Sequence, residues 1–244
     1  MNAEHDLFEL TAASVLAALQ AVATPERAKS SQWYFKTGPG EYGEGDVFLG
    51  CTVPQTRTIA KRFQHLPLEQ IDELLDSVWH EARLTALHIL VGQFQRAKTR
   101  VHRTELFDFY LSALLRGRIN NWDLIDTSAP YLGQLLVEHP RKTLIINLSR
   151  SPVLWERRAA IMFTFAHIRA SEFGVPQHMA INLLHDEHDL IHKAVGWMLR
   201  EIGNRNIEVL RGFLSKYHTV MPRTMLRYAI EKLDADERKR WMSR

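Results

Sequence analysis

The 244-residue sequence predicts an all-α protein, and three observations carry the prediction. Apolar residues recur three and four apart, as in Leu106, Phe109, Tyr110, Ala113 and Leu114, so they line one side of a helix. No sustained alternation of apolar and polar residues occurs, which leaves no half-buried strand from which to build a sheet. Prolines at 54, 67, 130, 140, 152, 176 and 222 fall near the ends of the periodic runs, where a missing N–H and a fixed φ are tolerated.

Taken in order, the periodicity predicts helices over 4–23 and 25–36. The glycine-rich run 36–54, KTGPGEYGEGDVFLGCTVP, interrupts the pattern. Gly38, Gly40, Gly43 and Gly45 could let backbone N–H groups approach a phosphate. No strand precedes them, no Gly-Lys-Ser/Thr follows, and Glu41, Glu44 and Asp46 would repel the anion, so the run is read as a connector. Val53-Pro54 then sets the first turn of a helix over 54–64. Pro67 opens 67–79, followed by 80–95 and 103–116. Asn121 caps a helix over 121–136. Pro140, Pro152 and Pro176 mark helices over 139–149, 153–170 and 176–184. The acidic run HDEHDLIH begins a helix over 187–203, because carboxylates are favoured at a helix N-terminus. Its His185, His188 and His192 could share a face and bind zinc, but the run fits no zinc-protease pattern and the capped helix start is preferred. Helices over 205–217, 221–232 and 234–241 complete the chain.

A hydrophobic fraction of 45% with 24% charged residues is that of a folded globular chain, read as a single domain over 1–244. Charges interrupt every apolar stretch before the roughly 18 residues a membrane span needs. With no basic leader followed by an apolar run at the amino end, the expectation is a cytoplasmic protein. The lone Cys51 excludes an internal disulfide and reads as a small apolar residue. The net charge is only +3, yet the pI is near 9.0 and the basic residues cluster, in RAKTRVHR (96–103), RGR (116–118) and HPRK (139–142). Such clusters suit either helix ends and solvated faces or a nucleic-acid surface.

A weak internal repeat also emerges. WHEARLTALHIL (79–90), WERRAAIMFTFA (155–166) and IHKAVGWMLREI (191–202) each follow a charged entry with small and large apolar residues. Arg83, Trp122, Arg158 and Lys193 mark successive units separated by 39, 36 and 35 residues. A period of 35 to 40 residues holding a helix pair predicts a HEAT-like or armadillo-type helical-repeat solenoid with a concave basic face. On that face fall Trp122, Asp126, Arg158 and Trp197. Within RINNWDLIDTSAP (118–130), Trp122 and Asp126 share a side of the helix, while Leu124 and Ile125 turn to the core. Each polar or aromatic residue of the set also has an ordinary structural explanation, as core, cap or ion-pair partner.

Four ordered segments carry a resemblance: YFKTGPGEYGEGDVFLGCTVPQTR, NWDLIDTSAPYLG, WERRAAIMF and HKAVGWMLREIG. With them, nearly the whole chain resembles the AlkD family of DNA alkylation-repair glycosylases, which have a HEAT-like repeat fold. The resemblance implies that Asp126 is the catalytic aspartate and that Trp122 and Trp197 complete the catalytic set. It implies DNA contacts at Arg158 and Tyr34, no cofactor or metal, and alkylated duplex DNA as the partner of a monomer. Asn121 departs from members that carry a second tryptophan there. The chemistry suits these residue types. A purine alkylated at N3 or N7 is a cationic leaving group, and a carboxylate can stabilise the oxocarbenium character left on the sugar. Indole faces attract such cations, and a guanidinium fits a phosphate. The expected activity is therefore monofunctional excision of 3-methyladenine- and 7-methylguanine-type bases without a base-flipping pocket. Two other readings are a non-catalytic HEAT-like module that binds branched or structured DNA, and a protein-binding scaffold.

Overall fold

A computed structural model describes residues 9–243, and the fold is all-α, as the sequence predicts. Its only β feature among the described residues is an isolated bridge between Val47 and Trp79. The chain divides into two compact units, residues 1–124 and 125–244.

In the first unit, α1 (Ala12–Gln20) starts where the Thr11 side chain accepts from the Ser14 N–H. The expected start at residue 4 lies outside the described residues, and residues 9–11 are not helical. Helix α2 (Pro25–Tyr34) is capped by Thr24 and buries none of its side chains. α3 (Val53–Arg62) opens on a capping box between Thr52 and Gln55, which satisfies two orphan N–H groups at once. α4 (Leu68–Leu75) follows Pro67, and α5 (His80–Arg96) is buried along most of its length. The latter packs against α1, α3 and α4 and forms the middle of this core. α6 (Arg100–Leu115) lies beside it and begins three residues before the expected 103, because Thr99 supplies the cap.

The glycine-rich run is a connector without a phosphate cradle. Gly38 N–H donates to Glu41 Oε2 (3.0 Å) and Gly40 N–H to Glu44 Oε2 (2.9 Å), so the loop's own carboxylates take the donors an anion would need. Gly50 sits at φ +100, and a Cβ there would lie 2.0 Å from the Thr24 carbonyl. Only glycine lets the connector close on the start of α2, where Thr24 N–H bonds the Gly50 carbonyl. Glu81 then pins the strand-like exit by accepting from the N–H groups of Leu49, Gly50 and Cys51 at 2.8–3.0 Å. Cys51 Sγ donates to the Leu19 carbonyl, and burial together with the Glu81 charge pushes its thiol up to about 12. That is an inert packing thiol, in keeping with the sequence reading.

α7 (Trp122–Leu132) begins one residue after the expected cap, and Pro130 lies inside it rather than at its edge. A proline nitrogen cannot donate to the carbonyl four residues back, that of Asp126, so the last turn is weakened. The helix stops at Leu132, and α8 (Gln134–Glu138) continues after Gly133. In the second unit a Cβ on Gly133 would lie 2.3 Å from the Phe163 carbonyl, a close backbone approach. Gly133→Ala is expected to destabilise the fold by about 2–3 kcal/mol, as overpacking a rigid neighbour does, measured as a lowered urea midpoint with unchanged slope.

The rest of that unit comprises α9 (Lys142–Ser149), α10 (Leu154–Phe163), α11 (Phe165–Arg169) and α12 (Gly174–Asn182). It continues with α13 (Asp189–Arg205), α14 (Ile207–Tyr217), α15 (Arg223–Ala229) and α16 (Ala235–Met242). The expected helix 153–170 is thus split at Thr164. α10 packs on α9 and α13, and α13 on α12, α14 and α15. Packing of elements against near sequence neighbours is what a helical repeat requires. His188 caps α13 by accepting from Leu190 N–H (3.1 Å), and Asp186 beside it pairs with Arg157. The histidine-rich run is therefore built into a helix start. Among the described residues no helix is long and apolar enough to cross a membrane.

Candidate active site

Helix α7 carries both Trp122 and Asp126, four residues apart, with Leu124 and Ile125 fully buried between them. The side chains around each residue belong to different units and are described in turn.

In the second unit, Asp126 is gripped by Arg158 of α10. Arg158 Nε donates to Asp126 Oδ1 at 2.9 Å and Nη2 to Oδ2 at 2.7 Å, the bidentate geometry of a planar fork on a carboxylate. Nη1 donates to the Leu190 carbonyl of α13 at 2.5 Å. Arg158 is only 4% exposed, so the guanidinium expected to meet a backbone phosphate has all three nitrogens engaged inside the unit. The two parallel bonds fix the plane of the carboxylate. Trp197, on α13, is half-buried; its Nε1–H donates to Glu201 Oε1 (3.0 Å) and its ring leans on Phe165. These contacts aim the indole but do not enclose it.

In the first unit, Trp122 lies in an aromatic cluster. Phe35 stacks on it at 5.4 Å between centroids and 21°, and Tyr34 meets it edge-on at 6.1 Å. Tyr34 is 57% exposed, and Trp33 beside it, which the sequence reading passed over, is 83% exposed. Phe35 in turn stacks on Phe48, and both rings lie against the imidazole of His80.

Beneath this cluster lies a buried polar network that the sequence reading did not find. His80 Nδ1 faces Asp46 Oδ2 at 3.1 Å, and Nε2 faces Asp123 Oδ2 at 2.8 Å. Arg83 donates to the other oxygen of Asp46, and Asn121 Nδ2 donates to Asp46 Oδ2 at 2.7 Å. Asn121 Oδ1 accepts the Trp122 N–H at 2.8 Å. Burial works against charge on both central groups, and the partners outweigh it. Asp123 and Asp46 raise His80 to about 9, while His80, Arg83 and Asn121 hold Asp46 down at about 2. The network thus sets two cations, His80 and Arg83, against two carboxylates, Asp46 within the core and Asp123 at its partly exposed margin. A weak signal was available: His80 and Arg83 are polar residues in the first turn of a helix whose middle, Leu84 to Val91, is mostly apolar, and Asp46 stands immediately before the apolar Val47-Phe48-Leu49.

The model of the family described as DNA alkylation repair enzyme matches residues 15–233. A solved structure described as a predicted DNA alkylation repair enzyme from Enterococcus faecalis superposes with a TM-score of 0.67. It shares 17% identity, with 87% of this chain and 97% of that chain covered. A search of curated proteins finds no match.

Proposed function

The chain belongs to the DNA alkylation repair enzyme family, and from that premise we propose that it is a monofunctional DNA glycosylase. Its substrates would be N3- and N7-alkylated purines in duplex DNA. The observation that carries the proposal is the Asp126 carboxylate held in one plane by Arg158, on the helix that also bears Trp122. In an alkylated nucleotide the purine is positively charged. When the C1′–N bond breaks, its electron pair neutralises the base, and the sugar is left with oxocarbenium character. A fixed carboxylate stabilises that charge and orients the water that attacks C1′; the water keeps one proton as the new C1′ hydroxyl and releases the other to solvent, giving an abasic site. Trp122 and Trp197 would present indole faces to the sugar and the cationic lesion. Tyr34 and the basic clusters would meet the backbone, whereas Arg158, buried with all three nitrogens engaged, would hold Asp126 in place of the phosphate contact the resemblance implies. The lesion's own lability makes a base-flipping pocket, a metal and a cofactor unnecessary to this chemistry. We further read the chain as one HEAT-like domain of the AlkD type, working as a cytoplasmic monomer.

A second reading is favoured by the same ion pair. A carboxylate neutralised by a buried guanidinium can serve as a structural strut, which would suit a module that only binds branched or structured DNA. Incubating the protein with methylated duplex, without added metal, and identifying the released bases separates the two. Release of 7-methylguanine or 3-methyladenine is expected, with no adduct trapped by borohydride, because the proposed set has no lysine to form a Schiff base. Tight duplex binding with no base released would overturn the glycosylase reading in favour of the binding module.

A further inference from the structure

We propose that His80 is a positioning residue: bridging Asp46 and Asp123 as an imidazolium, it sets the orientation of the Trp122 indole at the head of α7. The part of this that concerns base excision rests on the glycosylase reading; the link from His80 to Trp122 does not.

Three routes connect the imidazole to the indole. Asp123 follows Trp122 directly in the chain and takes a bond from His80 Nε2. Asn121 precedes it, accepts the Trp122 N–H, and is held by the same Asp46 oxygen that faces His80 Nδ1. The backbone on both sides of Trp122 is therefore tied to one buried ring. The third route is through the side chains: Phe35 lies 5.0 Å from the His80 ring and 5.4 Å from the Trp122 ring, so it is wedged against both. Moving any of these elements moves the indole plane.

The proton inventory gives the arrangement its sign. Both ring nitrogens face carboxylate oxygens, and only the imidazolium has two N–H donors to offer them. A neutral ring would turn a lone pair on one carboxylate, and the imidazole itself, 1% exposed, has no water to turn to instead. Asp46 comes from the connector, Arg83 from α5 and Asp123 from α7, and Arg83 binds the far oxygen of Asp46. His88, further along α5, feels Asp123 more weakly, and burial and Arg57 lower it to about 4, so it adds no positive charge there at neutral pH. One Asp123 oxygen, Oδ1, is buried without a hydrogen bond. That makes the His80 bond the support on which this carboxylate depends.

The test uses the full-length protein labelled with 5-fluorotryptophan, with the Trp122 fluorine resonance assigned by Trp122→Phe. Between pH 7 and 10 the Trp122 resonance is expected to move through an inflection near pH 9, where His80 loses its proton. The Trp197 resonance should stay still over that range. In Asp123→Asn the inflection should fall to lower pH, since the strongest support for the proton is gone, and in His80→Gln it should vanish. Should His80→Gln fail to fold, Asp123→Asn and the wild-type titration still decide the matter. A Trp122 resonance that is flat from pH 7 to 10, or that shifts only together with every other tryptophan, would overturn the proposal. With methylated duplex, the release rate should fall through the same inflection. Absence of release at every pH, with the fluorine inflection intact, would sink the glycosylase reading and leave the positioning role standing.

Discussion

Asp126→Asn is expected to slow base release from methylated duplex by roughly 100- to 1,000-fold, the range seen when one preorganised electrostatic group is removed from a reacting centre. Duplex affinity should change little, because the side chain keeps its size and still faces Arg158. The argument depends on charge rather than shape. Arg158 Nε and Nη2 each meet one carboxylate oxygen of Asp126, and an asparagine presents an NH2 group where one oxygen stood, so one of the two bonds is lost. The guanidinium then holds a dipole in place of a charge, and the developing sugar cation loses its counterpart. Single-turnover release of 7-methylguanine, measured beside a binding titration on the same duplex, checks this. Arg158→Lys provides the complement: a point charge cannot replace the planar fork, so the carboxylate keeps a cationic partner but loses its fixed plane. It should reduce the rate less than Asp126→Asn does. Equal rates for Asp126→Asn and wild type would remove Asp126 from the chemistry.

Much of the fold was legible because its signals are local. A helical period, a Ser/Thr/Asp/Asn cap and a proline are each read within a few residues, and most predicted helices overlap the observed ones within a turn. What escaped depended on contacts far apart in sequence. That residue 133, between α7 and α8, must be glycine follows from the approach of the Phe163 backbone, thirty residues away. At the candidate site the aromatic and acidic residues could be singled out by spacing and resemblance, but their partners could not. Arg158 was assigned to phosphate, since an arginine in sequence carries no sign of what will neutralise it; in the fold it is buried and turned on Asp126. Asp46 looked like a deterrent to anions in a glycine-rich loop. Only when the connector docks on α5 does it become the acceptor for His80, Arg83 and Asn121. Pairings at separations of 34, 37 and 75 residues leave no periodic trace.

Asp46→Ala is expected to cost about 3–5 kcal/mol of stability near neutral pH, because it strands two buried cations, His80 and Arg83, that shared its charge. Urea unfolding measures this directly, and the pH dependence shows whether the network is the cause. His80 is raised from its ordinary 6.5 to about 9, so its contribution is complete below about 6.5 and is lost as pH rises through 9. Asp46 is lowered from 3.8 to about 2, so its contribution is complete above about 3.8 and is lost as pH falls through 2. Wild-type stability should accordingly form a plateau between about pH 4 and 6.5 from this network, with losses on both sides. In Asp46→Ala the acid loss assigned to Asp46 disappears, and the alkaline loss begins at lower pH, since His80 keeps Asp123 alone. Asp46→Asn should lie between the two proteins, retaining a neutral acceptor for Asn121 and Arg83 without the charge. A variant as stable as wild type across the whole range would mean that the connector is held chiefly by Glu81 and its three backbone N–H bonds, and that the buried charges contribute nothing net.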